Sequence, residues 1–210
     1  MEVFWQTEEG EYTLEGEPVL CWRLGWPEVT GGGRAGRRIN RFYARMAQLW
    51  RQRWQREVYW LACLDLARRR EESRPFVPWK ARLEGEVTLQ REGLLSLRMR
   101  AEEVRGTAGP CLVCWGDVWN VAEGVPVRPG ELFRGRGWKK HLLSEMAEQG
   151  EVRRRAGDFF PDPGWEAQLA RSADFRDLWL TEEGAALAVA QCILAPAAEG
   201  TPVFSLNINN

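Results

Sequence analysis

From Arg34 to about Arg70 the chain carries apolar residues every three or four positions: Ile39, Phe42/Tyr43, Met46, Leu49/Trp50, Trp54, Val58, Leu61 and Leu64. That spacing places them along one side of a 3.6-residue helix, the pattern of an amphipathic helix with one face to bury. The run is long enough for one long helix or for two stacked end to end. Its opposite face is basic, with Arg34, Arg38, Arg41 and Arg45 on one stripe. Glu71-Glu72-Ser73, followed by Pro75 and Pro78, ends it.

On either side of this helix the pattern is that of strands. Residues 10–26 read as extended, with Tyr12, Leu14, Val19, Cys21 and the run Trp22–Trp26 broken by Gly10, Gly16 and Pro18. Pro27 and the triplet Gly31-Gly32-Gly33 stop that element. Ala81–Gln90 and Leu94–Glu102 alternate around the turn pair Glu92-Gly93, a hairpin signal. Cys111–Val121 is apolar nearly throughout and is expected to be a strand buried on both faces. Val125–Pro129 leads through Gly130 to Glu131-Leu132-Phe133. Trp138–Gln149 reads as a second helix with Gly150 as its C-cap. A short helical patch, Trp165–Leu169, follows Phe159-Phe160-Pro161-Asp162-Pro163.

The end of the chain, Asp174–Asn210, is a run of strands. Phe175–Leu180 and Ala185–Gln191 flank the turn Thr181-Glu182-Glu183-Gly184, where the glycine is expected to supply a positive φ. Val203–Ile208 alternates as a last strand after Pro196, Gly200 and Pro202. The expected fold class is therefore α+β: a long amphipathic helix packed on antiparallel sheet, a second helix and a C-terminal strand run. The chain, residues 1–210, is read as one domain or as two lobes, about 1–90 and about 91–210.

Composition narrows the function classes. Hydrophobic residues make up 44% and charged residues 28%, so the chain can build a core. Twelve tryptophans against three tyrosines mark a chain in which indoles fill the core or anchor an interface. The net charge is −1, which argues against a polyanion binder as a whole. Locally, residues 1–30 hold seven Glu and one Arg, and residues 31–56 hold eight Arg and no acid. Blocks of −6 and +8 neutralise each other if they fold side by side. The start, Met1-Glu-Val-Phe-Trp-Gln-Thr-Glu-Glu, shows no basic n-region and no apolar h-region. No apolar run reaches the ~20 residues of a membrane span. Five cysteines cannot all pair within one chain. These features point to a reducing, cytoplasmic compartment.

The candidate chemistry is thin. Cys111-Leu-Val-Cys114 has CxxC spacing, but residues three apart on a strand point to opposite faces and cannot share a metal. A redox pair also wants a helix N-terminus to lower its thiol pKa, and no second CxxC or histidine pair completes a zinc set. His141 is the single histidine, placed on the second helix without a nucleophile signature beside it. Glu182-Glu183 reads as solvated turn chemistry, although a carboxylate pair for glycoside hydrolysis stays open. Gly31-Gly32-Gly33 precedes a helix but lacks the Lys-Ser/Thr of a phosphate loop, and so reads as a loop. The arginine stripe with Trp50, Trp54 and Trp60 has the ingredients of a nucleic-acid binder, yet these tryptophans fall on the periodic apolar face. No catalytic or metal residues and no cofactor are assigned, and the binding residues stay open.

Several short segments, in order, resemble a known family. Asp174-Phe-Arg-Asp-Leu-Trp-Leu-Thr-Glu-Glu-Gly184, Ile193-Leu-Ala-Pro-Ala-Ala-Glu-Gly200 and Pro202-Val-Phe-Ser-Leu-Asn207 look like the ending of the domain of unknown function 3298 family. Upstream, Gly93-Leu-Leu-Ser96, Asn120 through Gly130-Glu-Leu-Phe133, and Arg38-Ile39-Asn40 resemble its strand start, its connection and the opening of its long helix. The resemblance covers roughly residues 19–208. The family is similar to the sensor domain of the anti-sigma-V factor and to a non-catalytic domain beside peptidoglycan deacetylases. What this implies is an α+β fold and a bacterial binding or sensor-like role without catalysis, with a protein or a cell-wall-related ligand as partner. The chain departs from the pattern in having Thr107-Ala108-Gly109-Pro110 without the family's histidine, and Ala197 where the family has an aromatic residue. Binding of lysozyme is not carried over. The alternatives are a hydrolase acting on cell-wall or polysaccharide material, and nucleic-acid association through the arginine-rich helix.

Overall fold

The computed structural model describes residues 1–91, 93–133 and 135–208. The elements in chain order are β1 (Glu2–Leu14), β2 (Glu17–Thr30), α1 (Gly33–Arg53), α2 (Tyr59–Glu71), β3 (Trp79–Arg91), β4 (Leu94–Val104), β5 (Cys111–Asn120), β6 (Val125–Pro126), α3 (Pro129–Leu132), α4 (Trp138–Ala156), α5 (Trp165–Ser172), β7 (Trp179–Leu180), β8 (Ala185–Ala188) and β9 (Val203–Leu206). Six strands form one sheet in the order β1-β2-β3-β4-β5-β6, and three form a second in the order β7-β8-β9. The fold is α+β, as expected, but the larger sheet is mixed: β2 and β3 pair in parallel over Leu20–Leu24. The chain divides into two compact units, Met1–Gly85 with Ala101–Cys111, and Glu86–Arg100 with residues from Leu112 onward.

In the first unit the long helix is continuous. α1 runs through a π turn, Trp54–Val58, into α2, giving 39 residues in all. The π turn has a consequence for which residues are buried. A π turn holds one extra residue and so retards the helical phase by one position. Up to Trp54 the inward residues are Ile39, Tyr43, Ala47 and Trp54; of the expected apolar positions Met46 and Trp50 are half-buried, and Phe42 and Leu49 are exposed. Beyond it the inward residues are Val58, Ala62 and Leu66, while Leu61 and Leu64 are exposed, Leu64 at 67%.

The strands before this helix are longer than the sequence suggests. β1 and β2 form a 13- and 14-residue antiparallel pair around Glu15-Gly16, both with positive φ. Pro27 does not stop β2, and the register explains why. Both the N–H and the C=O of Val29 bond to the side-chain amide of Asn40 on α1, at 2.8 and 3.0 Å. They therefore face away from β1. Pro27, two residues earlier in the same unbroken register, turns its missing donor the same way, past the stretch that β3 covers. A proline is tolerated on such an edge. Glu103 is the one buried charged residue among those described. Arg53 grips it with the Nε–Nη2 edge of its guanidinium, at 3.0 and 3.2 Å, and the hydrogen bond to Glu103 raises the arginine's pKa.

The second unit encloses Leu142, Met146, Phe159, Trp165, Leu187 and Phe204 in one core. Two expectations for this region are corrected. The strand β5 is not buried on both faces: Cys111 and Val113 are exposed, and its buried residues, Gly116, Val118 and Trp119, all lie in its second half. Gly150 is not a C-cap. α4 continues to Ala156 and is closed by Gly157, at φ 78° and ψ 18°. Gly150 is a buried interior position where an added Cβ would lie 2.3 Å from the Trp165 ring. The helix has a glycine there because an indole occupies the side-chain space.

The turn ahead of β8 holds a similar correction. Gly184 is not among the glycines with positive φ. A Cβ at that position would sit 2.4 Å from the Leu206 carbonyl oxygen. It is close backbone approach, not a left-handed turn, that calls for glycine. Phe175–Asp177 is a short 3-10 turn rather than strand. The buried Ser96 hydroxyl ties β4 to β7 and β3, accepting the Leu180 amide at 2.8 Å and the Thr88 hydroxyl at 2.9 Å. Gly93 has positive φ (78°); its expected turn partner Glu92, like Asn209 and Asn210, lies outside the described residues. No described helix is long and apolar enough to cross a membrane.

Candidate functional site

The residues singled out for chemistry do not converge. Cys111 is exposed and Cys114 half-buried on β5, and neither forms a disulfide. Burial pushes the Cys114 thiol's pKa up, which keeps it protonated and unreactive. Glu182 and Glu183 lie exposed on the turn between β7 and β8. Gly31, Gly32 and Gly33 form a left-handed loop, but the amides of Ala35 and Gly36 bond the Gly32 carbonyl. Donors tied up in this way are not offered to a phosphate. Arg34, Arg38, Arg41 and Arg45 are exposed on α1, and Trp54 is fully buried. A buried indole stacks on no base, which removes one of the three tryptophans from the nucleic-acid reading. Trp60, expected to face the core, is 59% exposed because the π turn carries it outward.

His141 is different. It lies on the exposed side of α4, in a groove of about 610 Å³ formed by His141, Ser144, Glu145, Glu148, Gln149 and Val152 with Arg153 and Asn207. A second depression of about 240 Å³ continues it past His141 to Arg136 and Trp138. The two share His141 and Asn207 and so form one trough.

One stripe of α4 builds the wall of this trough by holding the edge strand β9. The Gln149 amide donates to the Ser205 carbonyl at 2.6 Å and accepts the Ser205 N–H at 3.1 Å. Arg153 donates to the Val203 carbonyl at 3.1 Å. Glu145 accepts the Asn207 backbone and side-chain N–H groups, at 3.3 and 3.1 Å. The geometry is a matter of matched repeats. Four residues of helix rise about 6 Å, and two residues of strand about 6.7 Å. Residues 145, 149 and 153 of α4 therefore meet, in sequence, Asn207 just past β9 and then residues 205 and 203 of β9. Side chains replace the missing neighbour strand and close an edge that would otherwise be open to pairing. Arg153 is fixed further by the Phe159 and Phe204 rings, 5.2 and 5.9 Å away.

The adjacent stripe faces the trough. No described hydrogen bond or ion pair engages the side chains of His141, Ser144 or Glu148, and Val152 is 62% exposed. Sequence reasoning reached His141 but none of the others. Glu145, Gln149 and Arg153 are polar helix residues like any other until β9 is placed beside them. Their spacing of four is the only signal the sequence carries.

A second surface lies in the first unit. Tyr12, Tyr59 and Trp60 line a shallow depression of about 590 Å³ with Glu11, Thr13, Gln55 and Arg56. Their rings follow one another at 5.6 and 5.3 Å, and the Tyr59 hydroxyl donates to the Thr13 carbonyl.

No family model matches the chain, and no curated protein matches it. The fold does have solved relatives. A member of the domain of unknown function 3298 family from Bacteroides fragilis superposes with a TM-score of 0.68 at 14% identity, covering 98% of this chain and 90% of that one. A protein of the same family from Pseudomonas aeruginosa superposes at 0.59 with 11% identity, covering 98% and 89%. The chain has the fold of these proteins across nearly its whole length, which supports the resemblance read from its C-terminal segments.

Proposed function

We propose that this chain is a binding domain that receives an extended segment of a partner protein in the trough along α4, without catalysing a reaction on it. The observation that carries the reading is the division of labour on that helix. Glu145, Gln149 and Arg153 are spent on β9 and Asn207, while His141, Ser144 and Glu148, bonded by no described side chain or backbone group, stand beside the apolar Val152. Small-molecule sites enclose most of their ligand. This trough is open and elongated, a form suited to a chain lying along a helix. A hydrolytic reading of the same residues would need Ser144 activated by a hydrogen-bonded base that is itself oriented by a third group. Among the described residues His141 and Ser144 make no such bonds. The fold shared with a family of unknown function is compatible with a binding role and specifies no ligand.

The experiment is site-specific photo-crosslinking in cells. Benzoylphenylalanine in place of Val152 is expected to capture a protein, and the double substitution His141→Ala with Glu148→Ala to abolish that capture. The same probe in place of exposed Phe42 on α1 should capture nothing in common with it. Turnover of peptidoglycan fragments or simple glycosides that is lost in His141→Ala would overturn the non-catalytic reading.

A further inference from the structure

Three of the strand edges among the described residues can be compared, and one of them is treated unlike the other two. The four-residue β9 and the residue after it are closed by three side chains of α4. The free side of β2 at Val29 is closed by the Asn40 amide. The edge strand β1 is 13 residues long and mostly exposed. The register tells which of its backbone groups face outward. Val29 turns its N–H and C=O away from β1, so its cross-strand partner Val3 turns its own away from β2. By alternation in an unbroken register, Trp5, Thr7, Glu9 and Glu11 do the same. Among the described residues nothing bonds the outward groups of these five.

The side chains on that edge define what could pair with it. Val3, Trp5, Thr7, Glu9 and Glu11 share one face of the strand, and Trp5 is 37% exposed. Glu8, on the other face, is engaged by Arg51; no described ion pair engages Glu9 or Glu11. Their carboxylates recur every second residue, about 6.7 Å apart. Opposite-charge cross-strand pairs stabilise a ladder and like charges oppose it. Arg23 stands opposite Glu9 on the β2 side, but on the outer side a second copy of β1 would add only further carboxylates and no cation to meet Glu9 and Glu11.

We propose that β1 is a docking edge for an extended, basic polypeptide segment added as a further strand. The added strand carries aliphatic residues against Val3 and Trp5, and Lys or Arg at alternate positions against Glu9 and Glu11. Main-chain bonds to the five outward residues supply affinity, and the side-chain pattern supplies selectivity. This surface is separate from the α4 trough and does not depend on it.

The test uses the full chain and two labelled peptides of about ten residues. Both have threonine at alternate positions and two valines in the first half; one has two lysines in the second half and the other two glutamates. Fluorescence anisotropy should show saturable binding of the lysine peptide, at least about tenfold tighter than the glutamate peptide, a difference of about 1.4 kcal/mol. Hydrogen exchange of the Val3, Trp5, Thr7, Glu9 and Glu11 amides should slow on binding. Thr7→Pro removes one outward donor while sparing the β1–β2 ladder, and should abolish binding; Thr7→Val should not. Glu9→Lys with Glu11→Lys should reverse the peptide preference and carries the test if the proline variant does not fold. Absence of binding would overturn the proposal. So would lysine-peptide binding that leaves those amides unprotected, which is electrostatic adhesion only, or protection that arises from self-association without peptide.

Discussion

Replacing Gly150 by alanine sets two effects of known sign against each other. In the middle of a helix alanine is favoured over glycine by roughly 0.5–1 kcal/mol, because glycine loses more backbone freedom on folding. Against this, the new Cβ would lie 2.3 and 2.7 Å from two ring carbons of Trp165. Carbon atoms in contact prefer about 3.5–4.0 Å, so the indole must move by about 1 Å. Trp165 is only 5% exposed and stands edge-on to Phe159 at 5.7 Å, so it has no free direction. Overpacking of this kind costs about 1–3 kcal/mol. The net expectation is a loss of about 1–2 kcal/mol, seen as a lower urea midpoint by far-UV circular dichroism. A double-mutant cycle with Trp165→Leu makes the cause explicit. The smaller residue frees the space, so Gly150→Ala should become neutral or stabilising in that background, with a coupling of at least about 1 kcal/mol. Were Gly150 a left-handed cap, alanine would cost the same whatever residue stood at 165. A Gly150→Ala protein as stable as the parent, or a coupling near zero, refutes the packing argument.

Asn40→Ala leaves the N–H and C=O of Val29 without partners in a position only 4% exposed. It should cost about 2–3 kcal/mol in thermal or urea denaturation, from the desolvation of two unpaired backbone groups. Gln149→Ala removes two bonds to Ser205 that water can replace, so the loss should be smaller, about 1 kcal/mol, with faster exchange of the Ser205 amide as its mark. Asp65 makes a pH prediction. Burial alone would raise its pKa, but hydrogen bonds from Trp79 and Arg69 outweigh it and hold the carboxyl below its ordinary value. Its contribution is therefore complete above the unfolded value near pH 3.9 and is lost as pH falls through the lower folded value. Asp65→Asn should flatten the stability–pH curve in that acid window and leave its neutral arm parallel to the parent's.

The parts of the fold legible in the sequence were those set by local spacing. The long helix announced itself by period, and the C-terminal strands by alternation between turn-formers. What could not be read was set by non-local contact, and the same physical reason recurs. Nothing in Trp54–Val58 marks a π turn, yet that one extra residue decides that Ala62 is buried and Leu61 exposed. Gly150 and Gly184 have the look of turn residues, because composition cannot distinguish a glycine needed for φ from one needed for close approach. Only Trp165 and the Leu206 carbonyl tell them apart. The site follows this rule most strongly. Asn40 and Gln149 are each an amide on a helix in the sequence, and each becomes a substitute strand once an edge lies beside it. A side-chain carboxamide can offer an N–H donor and its C=O acceptor side by side, as the N–H and C=O of one residue of a facing antiparallel strand do, and so meets both backbone groups of Val29 or of Ser205. The β1 edge has no such amide facing it among the described residues. Its significance comes from how the β9 edge and the free side of β2 are closed and not from any motif of its own.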